Sequence, residues 1–309
     1  MANRASLPKI TWNACAAVPE SGTGLVQPSP NLDLLVNEIA ELRPLPVVAL
    51  RVLELAESDR FSAHELAQAI SSDQALTAKV LRLSNSAYYG FPRRITTVRD
   101  AVVLLGFRAI RSATLASCII DALPGGQVVD PLLAWRFSVT VGMLAEVLSR
   151  ATREHADEAF TAGVLHNIGR LALDQHRPRL LERAMRVRDE QHVTLAEAER
   201  EVLGFTDAEL GGALALHWNF PVELAEAVAL HRLDVNALPE PNSLAAFVVR
   251  ARLYARTFGL TDGVDLPSND RPAPEWAVPP ISRSLEQAGG MSGIEEKVNA
   301  FVESAIARV

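Results

Sequence analysis

From Val98 to Ile120 apolar side chains return at Val98, Val102, Leu105, Ala109, Ala113, Ala116 and Ile120, in steps of three or four residues. That spacing lines one stripe of an α-helix, whereas a strand would need alternation at every second residue. Thr97, three residues before Asp100, adds a helix-start signal, because its hydroxyl can accept from an amide of the first turn. The pattern predicts one long helix. No segment elsewhere shows strand alternation, so the expected fold class is all-α.

Taken in order, residues 1–30 carry Pro8, Pro19, Gly22, Gly24, Pro28 and Pro30 without periodicity and read as a flexible arm. Apolar recurrence begins near Asn31, breaks at Arg43-Pro44-Leu45-Pro46, and resumes with Pro46 suited to open the next helix. Ser62 and Glu65 have capping-box spacing ahead of Leu66, Ala69 and Ile70. After Asp73, the pattern puts Leu76, Val80, Leu83 and Ala87 inward and Lys79 and Arg82 outward, with Tyr88 and Tyr89 packing under a Gly-Pro turn. Arg99, Arg108 and Arg111 fall opposite the apolar stripe of the long helix, as a solvated face or a partner-docking row.

Pro124-Gly125-Gly126 places a boundary at 124–130, dividing a helical unit over 31–124 from one over 125–309. The second unit reads as helices at Trp135–Ser149, Ala159–Leu173 and Arg177–Glu190, then two capping boxes, Thr194/Glu197 and Thr206/Glu209. Helical segments follow through Trp218, up to His231, and over Ser243–Phe258. Prolines and Asp262-Gly263 make 261–280 a surface excursion, and Ser292/Glu295 caps a last helix bearing Ile294, Val298, Phe301 and Ala305.

With 309 residues and 49% hydrophobic content, the chain can bury a large core. A net charge of -7 disfavours bulk attraction to nucleic acid or acidic membranes, so neither is an expected partner. Cys15 and Cys118 stand too far apart in sequence for a knuckle motif, and Gly211-Gly212 lacks phosphate-loop spacing. The absence of a signal-type or uninterrupted membrane-length apolar run points to the cytoplasm.

The chemistry-bearing stretch is Ala162–Arg170, where His166 follows an apolar run and is itself followed by Asn167. A His-Asp pair would offer a metal both an imidazole and an anion, whereas Asn offers only an amide oxygen.

On these residues, together with Ser72–Thr77, Leu81–Gly90, Ile95–Gly106 and His217–Pro221, the segment 31–233 resembles the HD-related output domain (HDOD) family. That family is a degenerate branch of the HD phosphohydrolases found in bacterial signalling. The resemblance implies an N-terminal helical bundle packed on a degenerate HD-type bundle. It also implies a ligand set in which Phe137 stands for the first His, Asn167 for the acid of the doublet and Arg252 for the closing acid, with His166, His217 and His231 retained. The two lost acids would remove two negative charges from the pocket, each worth on the order of 4 kcal/mol to a cation at 4 Å and an effective dielectric of 20. The expectation is therefore a chain without catalytic residues, metal or cofactor, regulating signalling proteins through protein contacts. The alternatives are a phosphate or nucleotide sensor using Arg170 and Arg252, and a residual metal-dependent phosphohydrolase of nucleotides or cyclic dinucleotides.

Overall fold

A computed structural model describes residues 30–42, 46–54, 63–86, 89–90, 92–123, 126–155, 158–238 and 240–306. Among them all regular structure is helical, and no strand occurs. Of the expected arm over residues 1–30, Pro30 opens the first helix, while residues 1–29, like Ser62, Ala87 and Tyr88, lie outside the described residues.

The first half comprises α1 (Pro30–Leu42), α2 (Val47–Glu54), α3 (Ala63–Ser71), α4 (Gln74–Ser84), α5 (Val98–Leu105) and α6 (Phe107–Ala122). The single long helix expected after Thr97 is thus two. Gly106, at φ 89° and ψ 152°, caps both, in a backbone region that residues with a Cβ enter only under strain. The arginine row is divided accordingly: Arg99 is exposed on α5 and Arg111 half-buried on α6, while the side chain of Arg108 lies outside the described residues. Lys79, expected outward, is buried and ion-paired with Asp121. Leu76, Val80 and Leu83 do line the core. Asn85 closes the following loop, accepting from the Ile95 amide at 2.7 Å and donating to the Ile95 carbonyl at 2.8 Å. Asparagine at this place is explained by its paired donor and acceptor.

The second half comprises α7 (Pro131–Thr152), α8 (Ala159–Leu165), α9 (Ile168–His176), α10 (Pro178–Gln191), α11 (Leu195–Leu203), α12 (Asp207–His217), α13 (Val222–Leu230), α14 (Leu244–Thr257), α15 (Ile281–Gln287) and α16 (Gly290–Ile306). By length and composition α7 could cross a membrane, but 78% of its apolar window is buried inside the protein, where it packs on α8, α14, α15 and α16. It is the spine of the second bundle. The buried carboxylate of Asp174 on α9 accepts from the amides of Gly126, Gln127, Val128 and Val129 at 2.9–3.1 Å, so the link between the halves is fastened to the second.

Three further expectations change. The Ala159–Leu173 helix is broken at His166-Asn167, with Asn167 at φ -99°, ψ 11°. Segment 261–280 is docked, not free: Asp262, Val264 and Trp276 are buried, Trp276 stacks on Tyr254 at 3.9 Å, and Arg250 grips Glu275 at 2.9 and 2.8 Å. Helix α16 starts ahead of Ser292, which therefore lies inside the helix instead of capping it. Its Ile294, Val298, Phe301 and Val302 are buried against α7 of the second half and α4 and α6 of the first. A helix beyond the family-like segment thus ties the bundles together.

Candidate functional site

The break between α8 and α9 turns His166 and Asn167 into the interior, where both are buried. Arg170, one turn into α9, reaches the N-terminus of α12 because the two helices touch backbone to backbone. A Cβ on Gly169 would sit 1.9 Å from the Asp207 carbonyl and 2.5 Å from the Gly211 amide. Asp207 is fixed as the first residue of α12 by the capping box of Thr206 and Glu209 that its sequence announces.

Around Arg170 the charges form one closed network. Its Nε donates to Asp207 Oδ2 at 2.8 Å, its Nη1 pairs with Asp262, and its Nη2 meets Asp265 Oδ1 at 3.3 Å. Arg232 grips Asp207 from the other side at 2.6 and 2.8 Å, and Arg252 donates to Asp265 Oδ2 at 2.9 Å. Asn167 Nδ2 donates to Asp262 at 2.8 Å, while the other oxygen of Asp262 accepts from the amides of Val264 and Asp265. Burial alone would raise Asp265, but Arg170 and Arg252 outweigh it and hold that carboxyl far below its ordinary range. Glu199, which accepts from the Asp207 amide at 3.0 Å, is pushed well above its ordinary value by burial and by the Asp207 charge. With Glu199 neutral, Arg170, Arg232 and Arg252 face Asp207, Asp262 and Asp265, and the formal charges cancel.

The histidines stand beside this network. His166 and His231 meet edge to face, with ring centroids 5.0 Å apart, and Phe137 packs against His166 at 5.6 Å. Their Nδ1 atoms lie 2.6 Å and 2.7 Å from the carbonyls of Gly163 and Val228, which fixes the proton on Nδ1 and leaves each Nε2 a buried acceptor without a partner. Burial, then the charge of Arg252, lowers His231 to about 3; burial and its histidine neighbour lower His166 as well. Both are neutral at physiological pH.

Of the residues singled out in the sequence, Phe137, His166, Asn167, Arg170, His231 and Arg252 come together. His217 does not. It is half-buried at the far end of α12, ten residues and so roughly 15 Å from Asp207 at 1.5 Å per residue. The expected surplus of positive charge is also corrected, because Asp262 and Asp265 of the docked 261–280 segment restore two carboxylates to the pocket. Asp207, Glu199 and Arg232 were missed too. The sequence marks two of these acids only locally: Asp262 sits in an Asp-Gly turn and Asp207 in a capping box, both places where an acid has a backbone role and is easily taken for nothing more.

The residues present do not fit the divalent ion of an HD centre. Two imidazole nitrogens, the Asn167 Oδ1 and the Glu199 Oε1 are unpartnered, but Asp207, Asp262 and Asp265 are already held by arginine. Among the described residues no group of three or more His, Cys, Asp and Glu has metal-holding geometry. A second site lies between the bundles: a cavity of about 660 Å³ bordered by Gly106 and Phe107 of the first half, Met143, Glu146 and Arg150 of α7, and Lys297 of α16.

An HDOD domain model matches residues 42–233. The chain resembles the crystal structure of an HDOD domain protein with unknown function from Geobacter sulfurreducens, with TM-score 0.73 and 24% identity over 88% of this chain and 98% of that one. A structure from Shewanella amazonensis SB2B, provisionally named a phosphohydrolase, gives TM-score 0.66 and 26% identity over 88% of this chain and 96% of that one. One from Marinobacter aquaeolei VT8, provisionally named a signal transduction protein, gives 0.64 and 22% over 89% and 63%. An uncharacterized protein of Treponema pallidum (strain Nichols) is 24% identical over 229 residues, 72% of this chain and 44% of that protein. The chain thus spans less than half the length of this curated relative.

Proposed function

Since this chain belongs to the HDOD domain family, we propose that it is a non-catalytic signalling module that works through protein contacts. The observation that carries this reading is the guanidinium of Arg170. It sits with Arg252 among Asp207, Asp262 and Asp265, and their pairing neutralises the pocket without a metal ion. A hydrolytic centre needs a cation with open coordination to acidify water. Here the positive charges are side chains paired with Asp207, Asp262 and Asp265, with the buried Nε of Arg252 left over, and a guanidinium offers no open coordination position. The same engagement argues against Arg170 and Arg252 as a phosphate-sensing pair, because an incoming phosphate would have to displace buried carboxylates. The name of the Marinobacter structure supports a signalling context.

For the contact surface, α5 is the favoured element. Val103 and Leu104 are 70% and 52% exposed, and Arg99 lies one turn before Val103. An apolar pair edged by arginine suits a partner helix or loop with an acidic rim. The test has two arms: turnover of cyclic dinucleotides with added manganese or iron by the full chain, and signalling output in the native host. We expect no turnover, and loss of output when Arg99, Arg108 and Arg111 are reversed to Glu at unchanged protein level. Turnover that disappears in His166→Ala, with output indifferent to the arginine reversals, would instead establish a phosphohydrolase.

A further inference from the structure

The cavity between the bundles is unlike the arginine pocket in every respect that governs binding. Its volume, about 660 Å³, lies within the roughly 300–1,000 Å³ of small-molecule sites. Most of its wall is apolar, with Phe107 entering from α6, Met143 from α7, Phe160 from α8 and Ile294 from α16. At its charged side Arg150 and Glu146 already neutralise each other at 2.6 Å. Lys297 has no such partner: half-buried, it donates to the Ala288 carbonyl at 3.1 Å and meets no carboxylate among the described residues. An ammonium carries three donors, so two remain for an incoming group.

We propose that this cavity binds a monocarboxylate with an apolar body, the body against Phe107, Met143, Phe160 and Ile294 and the head at Lys297. One unpaired positive charge matches one negative charge, whereas a nucleotide or dinucleotide would bring more anionic charge than the site can answer. The occupant would touch α6 of the first half, α7 and α8 of the second, and the α16 strap that joins them. Its binding therefore tightens the seat of α16. The inference goes beyond the signalling reading without resting on it, since a ligand here leaves the question of turnover at His166 untouched.

The probe is dodecanoate, titrated below its micelle concentration into the full chain, with dodecanol and dodecylammonium as charge controls. Dodecanoate should bind saturably at one site, more tightly than either control, and slow hydrogen exchange in α16. Lys297→Gln should weaken dodecanoate at least tenfold and leave dodecanol unchanged. Ala109→Trp, which fills the cavity, should abolish binding of both; if that variant does not fold, Lys297→Gln decides alone. Absence of saturable binding to the wild type, dodecylammonium binding as tightly, or indifference to Lys297→Gln would overturn the proposal.

Discussion

Around Arg170 each buried charge has an opposite charge within reach, while Lys297 borders a cavity and, among the described residues, pairs with a carbonyl and no carboxylate. The first arrangement is nearly solvent-free, with Arg170, Asp207 and Asp262 all 1% exposed or less. Such a site can be a rigid support, because opening it separates charges in a poorly screened interior. The second is open and unsaturated, so a ligand gains by entering.

This contrast can be broken by substitution. Arg170→Met leaves Asp207, Asp262 and Asp265 facing one another, and should destabilise the protein by about 3–5 kcal/mol in chemical denaturation. Lys297→Gln should cost within about 0.5 kcal/mol. Similar values for the two would erase the distinction.

The helix contacts that build the two places should differ in the same sense. Gly169→Ala drives a Cβ into the backbone of Asp207 and Gly211, where nothing can yield without moving a helix, and we expect a loss of about 3 kcal/mol. Gly106→Ala meets no atom within 4 Å and bears only the strain of its positive φ, about 1–2 kcal/mol. A costlier Gly106→Ala would show that the α5–α6 elbow is the more tightly held of the two.

Titration sharpens the comparison further. His166 and His231 stay neutral when folded but take up protons near pH 6.5 once unfolded, so stability falls as pH drops below 6.5. Each imidazole contributes about 1.4 kcal/mol per pH unit through this window. Glu199 acts oppositely: the folded chain keeps a proton that the unfolded chain releases above 4.5, and stability is lost as pH rises from there. Glu199→Gln should therefore steepen the acid limb of the stability profile by about 1.4 kcal/mol per pH unit between pH 5 and 6.5 and flatten the neutral limb. An unchanged profile would mean that Glu199 is ionised in the folded protein. The smallest effect is expected at the cavity's exposed rim, where Glu146→Gln removes an ion pair with a 55% exposed arginine and should shift stability by under about 0.5 kcal/mol.

Local signals were legible wherever a residue's job is done within a few positions of itself. The capping boxes at Thr194 and Thr206, the cap at Thr97 and the inward stripe of α4 follow from spacing and hold in the structure. The His166-Asn167 doublet is buried, with Phe137 packed on His166. What spacing could not show was pairing across the chain. Arg170 and Asp262 are 92 residues apart, and an acid in a Pro-rich turn carries no mark of the guanidinium it will meet. The break at Gly106 is hidden for another reason: the apolar period runs on through it, with Val98 and Val102 buried on α5 and Ala113, Ala116 and Ile120 on α6. His217 shows the converse, a histidine in a family-like context that the length of α12 carries away from the pocket.

Metal content tests the central claim most directly. The full chain, purified without a polyhistidine tag and equilibrated with manganese or iron, should retain far less than one metal ion per chain by elemental analysis, and His166→Ala should leave that value unchanged. Near-stoichiometric metal that is lost in His166→Ala would contradict the account, showing that the arginine–carboxylate network yields to a cation and that His166 and His231 still serve as ligands.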